Sequence, residues 1–278
     1  MEKDGREISY VACQGVTNMY MQELELAKSI AREAGALILS VYQNFDETLL
    51  EYKKDQSPVT KADKLANSFI VEELKRHFPE YAVLSEEGMD DKERLKNENC
   101  FIVDPLDGTK EFLKRNNQFT VNIALAHKHR SVMGVIYVPA SGELYYAAQG
   151  AGAWKEEHGG KKSRLSVTDI SDLNDVRVVI SNSHDCQEME DLIEKYQFQH
   201  LERIGSSLKG CLIAEGKAEI YYRFNPTMEW DTAAMQCIVE EAGAVFRQMD
   251  DTLMLYNREN SKNEKGFYII NRPENKLC

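Results

Sequence analysis

Asp104-Pro105-Leu106-Asp107-Gly108-Thr109 follows the apolar run Cys100-Phe101-Ile102-Val103, so two carboxylates leave a buried strand three residues apart. Carboxylates are rarely buried without compensating charge, and a donor set made only of oxygens suits a hard cation such as Mg²⁺. Pro105 restricts the backbone between the two acids, and Leu106 can offer only its carbonyl. Gly108 lets the chain pass close to an anion, beside the N–H groups that open the next helix. A metal ion and a phosphate could share that pocket. Asp-Gly alone is an ordinary turn signal; the doubled aspartate is what asks for a cation.

Other acids have the same character. Ala82-Val83-Leu84-Ser85 reads as a short strand ended by Glu86-Glu87, and ligands gather outside strand ends in open sheets, which would bring Glu86 or Glu87 to Asp104 and Asp107. Asp63 falls in the first turn of a helix expected from about Lys61 to Phe78, where a favourable charge at the helix N-terminus is its ordinary role. Asp231 opens a helix expected to Ala242 and reads ordinarily as an N-cap, with Trp230 before it as core. Gly205-Ser206-Ser207-Leu208-Lys209 has the form of a helix start with hydroxyls and a cation, suited to a second phosphate or to a routine serine cap.

The elements that must position these residues are legible from periodicity. Ala27, Ile30, Ala31, Ala34, Leu37, Ile38 and Val41 recur at helical spacing, and Leu65, Phe69, Ile70 and Leu74 do so in the next helix. Strands are expected over 121–126, 132–138 and 143–148, then a polar loop over 156–164. Strands at 176–181, 201–204 and 219–223 alternate with helices at 187–196, 208–215 and 231–242, and a last strand covers 267–271; such alternation indicates α/β layers. The expected organisation is an extension of unassigned role over 1–20, an N-terminal lobe over 21–165 with most of the acids, and a C-terminal lobe over 166–278 with Asp231.

With 278 residues, 42% of them hydrophobic, the chain can bury a full core. A net charge of −12 argues against non-specific binding to nucleic acid or an anionic membrane, so an anionic substrate needs a local positive site. Six scattered cysteines without a C-x-x-C pair read as small buried hydrophobes in a reducing compartment. No apolar run approaches the length of a membrane helix, and a cytoplasmic location follows, with attachment at the inner membrane face left open.

Together these segments resemble the magnesium-dependent, lithium-sensitive phosphomonoesterase superfamily of inositol monophosphatases, inositol polyphosphate 1-phosphatases and bisphosphate nucleotidases, over about residues 22 to 271. The resemblance rests on Asp104 to Thr109 and Trp230-Asp231-Thr232-Ala233-Ala234, joined in order by Ser57 to Asp63 and Ser85-Glu86-Glu87. Asp104 to Phe112 with Phe119 to Leu125, Val179 to His184, Gly205 to Lys209 and Ala214 to Ala218 look like the bacterial 3′(2′),5′-bisphosphate nucleotidases of the CysQ type.

That resemblance implies a layered α-β-α-β-α sandwich and hydrolysis of adenosine 3′,5′-bisphosphate to AMP and phosphate, with the sulfated nucleotide as a further substrate. It implies two or three Mg²⁺ ions, inhibition by Li⁺, and Glu86, Asp104, the Leu106 carbonyl, Asp107 and Asp231 as metal ligands. Asp63 and Thr109 would orient and deprotonate the attacking water, and Gly108 and Thr109 would hold the scissile phosphate. His184, Ser206, Lys209 and Arg223 match positions around the other phosphate and the nucleotide. An inositol or broad sugar phosphatase shares all the metal chemistry, and a non-catalytic cation- or nucleotide-binding protein is the alternative of another class. Monomer and homodimer stay open.

Overall fold

A computed structural model describes residues 19–44, 51–52, 58–90, 92–182 and 186–277. Helix α1 (Met21–Gln43) turns Leu24, Ala27, Ile30, Ala31, Ala34 and Ile38 inward. The two-residue strands β1 (Glu51–Tyr52) and β2 (Pro58–Val59) pair ahead of α2 (Lys61–His77). In α2 the interior face is Ala62, Asp63, Ala66, Ile70 and Leu74. Leu65, expected inside, is exposed, because the small alanines are what α2 lays against its neighbours.

One sheet then runs in chain order: β3 (Ala82–Ser85), β4 (Asn99–Asp107), and, after the short helix α3 (Thr109–Leu113), β5 (Thr120–His127), β6 (Arg130–Val138), β7 (Glu143–Ala148), β8 (Gly152–Glu156) and β9 (Lys162–Arg164). Only β3 and β4 are parallel. The stretch 156–164, expected as a loop, therefore contains an edge strand. β9 pairs through its backbone while all three side chains face solvent, so hydropathy carries no sign of it.

The rest of the chain supplies β10 (Arg177–Ser181), α4 (Gln187–Tyr196), β11 (His200–Ile204), α5 (Leu208–Ala214), β12 (Ile220–Arg223), β13 (Thr227–Met228), α6 (Glu229–Glu241), β14 (Val245–Gln248), β15 (Lys262–Asn263) and β16 (Phe267–Ile270). The second sheet has the order β11-β10-β12-β16-β14, while β13 and β15 form a separate ribbon at the start of α6. Strand β14 was not legible in the sequence: four half-polar residues are too short for a periodic signal.

Alternation along β4 shows how the layers stack. Phe101 and Val103 join the core beneath α1 and α2, while Cys100 and Ile102 join the core shared with α5, α6 and the second sheet. A third core lies between the second sheet and α4. This gives the expected five layers: α1 and α2, the seven-stranded sheet, α5 and α6, the five-stranded sheet, α4. Helix α6 can sit tightly because the sheet offers it Ala124, Ala126, Ala147 and Gly134; a Cβ on Gly134 would lie 2.3 Å from the Ala234 carbonyl oxygen. That close seat fixes the height of the α6 N-terminus, and so of Asp231, above the sheet.

Candidate active site

The acids of β4 meet because the strand is irregular. Residues three apart on a regular strand point to opposite faces. Here Asp104 pairs with Asn122 and Asp107 with Thr120, so β4 carries one residue more than β5 over this interval, a bulge at Pro105-Leu106 where a missing N–H is tolerated. The extra residue brings Asp104 and Asp107 to one wall of a cleft of about 370 Å³. Glu86 reaches the same wall from the end of β3, whose neighbour Glu86 N–H donates to the Val103 carbonyl. Gly108 (φ 92°) turns the chain directly into Thr109, with the Gln118 carbonyl 3.0 Å from where a Cβ would stand.

Asp63 and Asp231 come from different layers, yet each is the third residue of a helix and bonds back to the N–H before it. Asp63 Oδ2 accepts from Thr60 N (2.7 Å) and Thr60 Oγ1 (2.5 Å), and Asp231 Oδ2 accepts from Met228 N (2.7 Å). The helix-start reading of both was therefore correct, with Asp231 at the third helical position instead of the N-cap. Capping uses one carboxylate oxygen and holds the other in place. Asp63 Oδ1 lies 3.3 Å from Thr109 Oγ1, which is also 3.4 Å from the Leu106 carbonyl. Asp63 is 2% exposed and stands behind Thr109, close enough to Glu87 to feel its charge.

Burial and mutual repulsion set the electrostatics. Asp104 is held well above the usual carboxylate range by burial first, then by Glu86, Asp107 and Asp231. Burial and the charge of Asp107 push Asp231 up to about 7, and burial raises Asp63. As the side chains stand, no three His, Cys, Asp or Glu groups among the described residues are gathered tightly enough to hold an ion. Buried like charges repel, and a cation is what would compensate them.

The opposite side of the cleft comes from the second half of the chain. Ser206, Lys209, Arg223, Trp230 and Asp231 line it. Ser206 Oγ and Arg223 Nε are buried without a hydrogen-bond partner among the described residues. Lys209 is 6% exposed; its Nζ donates to the Ser206 carbonyl (2.6 Å) and lies 3.4 Å from that of Ile204, and burial brings its ammonium down to about 8. Trp230, expected as core, packs half-buried against the core that α6 shares with both sheets and also lines the cleft, in the first turn of a helix that begins two residues earlier than expected. His184 lies outside the described residues.

Sequence reasoning missed the groups that orient Asp107. Its Oδ2 is the target of Ser207 N (2.7 Å), Ser207 Oγ (2.6 Å), Asn122 Nδ2 (3.1 Å) and Thr120 Oγ1 (3.4 Å). An available signal was Asn122, a polar residue that is 1% exposed inside the otherwise apolar Val121-Asn122-Ile123-Ala124.

The raised Asp231 has a thermal signature. Its folded value of about 7 lies above the ordinary 3.8, so the folded chain binds the extra proton between these limits and loses stability as pH rises through them. In chelator, the melting temperature of the native protein should therefore fall relative to that of Asp231→Asn from about pH 4 to about pH 7. A pH-independent difference between the two melting curves would contradict the burial and repulsion inferred for this carboxylate.

Three comparisons bear on this geometry. The chain matches the sequence profile of the inositol monophosphatase family over residues 20–272. It is 42% identical over 247 residues to the 3′(2′),5′-bisphosphate nucleotidase CysQ of Salmonella typhimurium and 40% identical to that of Escherichia coli, in both cases over 88% of this chain and 98% of the relative. Among solved structures, CysQ from Bacteroides thetaiotaomicron superposes with a TM-score of 0.78 at 40% identity, covering 91% of this chain and 99% of the other. An IMPase from Thermotoga maritima superposes with a TM-score of 0.76 at 25% identity, covering 90% and 92%.

Proposed function

The chain belongs to the inositol monophosphatase family, and from that premise we propose that it is a magnesium-dependent 3′(2′),5′-bisphosphate nucleotidase that hydrolyses adenosine 3′,5′-bisphosphate to AMP and phosphate, and the sulfated nucleotide in the same way. The observation that carries the reading is the polarity of the cleft. The cleft is lined by Glu86, Asp104, Leu106, Asp107 and Asp231 and also by Lys209, Arg223 and Ser206, whose buried Oγ has no hydrogen-bond partner among the described residues. Two anion-binding poles in one cleft suit a substrate with two phosphates.

The acidic pole fits a hard cation. Its donors are all oxygens, burial and repulsion make the acids proton-hungry without one, and Asp107 has one oxygen committed to Ser207, Asn122 and Thr120 while Oδ1 receives none of these donors. Glu86, Asp104, Leu106, Asp107 and Asp231 would hold two or three Mg²⁺ ions, a site Li⁺ would also enter. Bound Mg²⁺ supplies positive charge against the transferring phosphoryl group and acidifies water there.

The chain's own residues do the rest. Asp63, raised by burial and 3.3 Å from Thr109, takes the proton of the attacking water through the threonine hydroxyl. Gly108 and Thr109 N–H groups hold the scissile phosphate. Ser206 and Arg223 take the other phosphate, and Lys209, whose ammonium donates to the Ser206 carbonyl, braces the turn that carries Ser206. The buried free thiols Cys100, Cys211 and Cys237 fit a reducing, cytoplasmic setting; among the described residues no helix is long and apolar enough to cross a membrane.

The test is phosphate release with Mg²⁺ from adenosine 3′,5′-bisphosphate, inositol 1-phosphate and fructose 1,6-bisphosphate. The nucleotide should show the highest kcat/KM. Preference for inositol 1-phosphate would remove the nucleotidase assignment and leave the metal chemistry in place.

A further inference from the structure

Ser207 belongs to the turn that carries Ser206 and Lys209, yet its N–H and its hydroxyl both donate to Asp107. Its N–H and Oγ both reach Asp107 Oδ2, at 2.7 and 2.6 Å, and Oγ receives Asn122 Nδ2 at 2.9 Å. The same Oγ lies 3.4 Å from the backbone carbonyl of Asp231. The hydroxyl of Ser207, a residue 1% exposed, thus meets the Asp107 carboxylate and the backbone of Asp231, from opposite halves of the chain.

The turn that delivers this hydroxyl is strained and braced. Ser206 sits at φ 50°, in the left-handed region that a residue with a side chain rarely adopts. Lys209 Nζ holds the Ser206 carbonyl, and Gln118 Oε1 accepts Gly205 N–H at 2.8 Å. The peptide that carries Ser206 Oγ into the cleft is therefore continuous with the one that grips Asp107. An anion on Ser206 Oγ bears on the carboxylate through the four bonds that join that oxygen to the Ser207 amide nitrogen.

We infer that Ser207 is a positioning residue coupling the second anion site to the metal site, so that a nucleotide phosphate on the Ser206 side and Mg²⁺ on the Asp107 side bind cooperatively. The coupling half rests on the nucleotidase reading; the orientation of Asp107 does not. With Asp107 Oδ2 fixed by Ser207, Oδ1 is presented to an ion without a search over rotamers. An anion that holds Ser206 in its left-handed conformation then favours the same turn geometry that keeps Ser207 on Asp107, and linkage makes the effect reciprocal.

Calorimetric titration of Mg²⁺ into the full-length protein, with and without AMP, tests this. AMP retains the 5′-phosphate and lacks the scissile one. In the native protein AMP should tighten Mg²⁺ binding by about fivefold or more. Ser207→Ala should weaken Mg²⁺ binding by about five- to tenfold and abolish the AMP effect. Ser207→Cys preserves the packing and replaces a strong donor by a weak one, so it should behave like Ser207→Ala; a merely space-filling serine predicts native binding for the cysteine variant. Native Mg²⁺ affinity in either variant, at a preserved metal-free melting temperature, would overturn the inference. AMP that binds without changing Mg²⁺ affinity would overturn the coupling alone, whereas no AMP binding by the native protein would overturn the nucleotidase reading and the coupling together.

Discussion

Asp104→Asn is expected to leave the protein folded and to lower phosphate release at saturating Mg²⁺ by roughly a thousandfold or more, the loss of several kcal/mol of charge stabilisation in the transition state. The amide can keep the bond in which Oδ1 accepts the Leu106 N–H at 3.1 Å. What disappears is a negative charge that burial and Glu86, Asp107 and Asp231 make costly unless a cation compensates. The metal-free variant should accordingly melt higher than the native protein, and Mg²⁺ should raise its melting temperature far less. Asp231→Asn should behave alike, since Asp231 is raised by the same two causes and an amide oxygen can still accept Met228 N–H. Two measurements decide this: kcat across a Mg²⁺ series, and melting curves in chelator and in Mg²⁺. Substantial turnover by Asp104→Asn at saturating Mg²⁺ would refute the ligand role.

Arg223→Ala should lower kcat/KM for adenosine 3′,5′-bisphosphate by roughly 30- to 150-fold, about 2 to 3 kcal/mol for a charge-assisted contact in a buried site. Adenosine 3′-monophosphate, which lacks the second phosphate, should change by less than about threefold. The guanidinium is suited to this selectivity because it lines the cleft and its buried Nε has no hydrogen-bond partner among the described residues. Lys209→Ala should instead reduce both substrates. Its ammonium holds the Ser206 carbonyl, so its loss loosens the turn that fixes Ser207 on Asp107 and thereby disturbs the pole that handles the scissile phosphate in every substrate. Parallel kinetics on the two nucleotides separate these roles. An equal fall on both substrates in Arg223→Ala would return that residue to general electrostatics.

The contrast between those two cations shows where the reach of the sequence ends. Lys209 and Arg223 carry the same charge, and in sequence both are cations near candidate phosphate positions. Only the fold turns one ammonium onto a backbone carbonyl of its own turn and leaves the other head group available. Trp230 makes a related point, since the indole packs against the core as its type suggests, and only the seat of α6 on Gly134 also makes it part of the cleft lining.

The amino-acid sequence determined what depends on neighbours a few residues away. Helical spacing in α1 and α2, strands from apolar runs, and aspartates in the first turns of α2 and α6 are all local, because backbone hydrogen bonds and side-chain direction repeat with periods of 2 or 3.6 residues. The acid pair Asp104 and Asp107 and the strand-end Glu86 were legible for the same reason, as charges where burial should have excluded them. Tertiary structure alone decided that these acids share a wall. Asp104 and Asp107 would diverge on a regular strand, and the pairing partner β5 is what forces the extra residue at Pro105-Leu106 into a bulge. Ser207 is 100 residues from Asp107, and Asp231 is 24 beyond that serine. Contacts at such separations leave no periodic trace, because they are selected by which layers the buried apolar surface brings together, and only then by the hydrogen bonds that those layers can close.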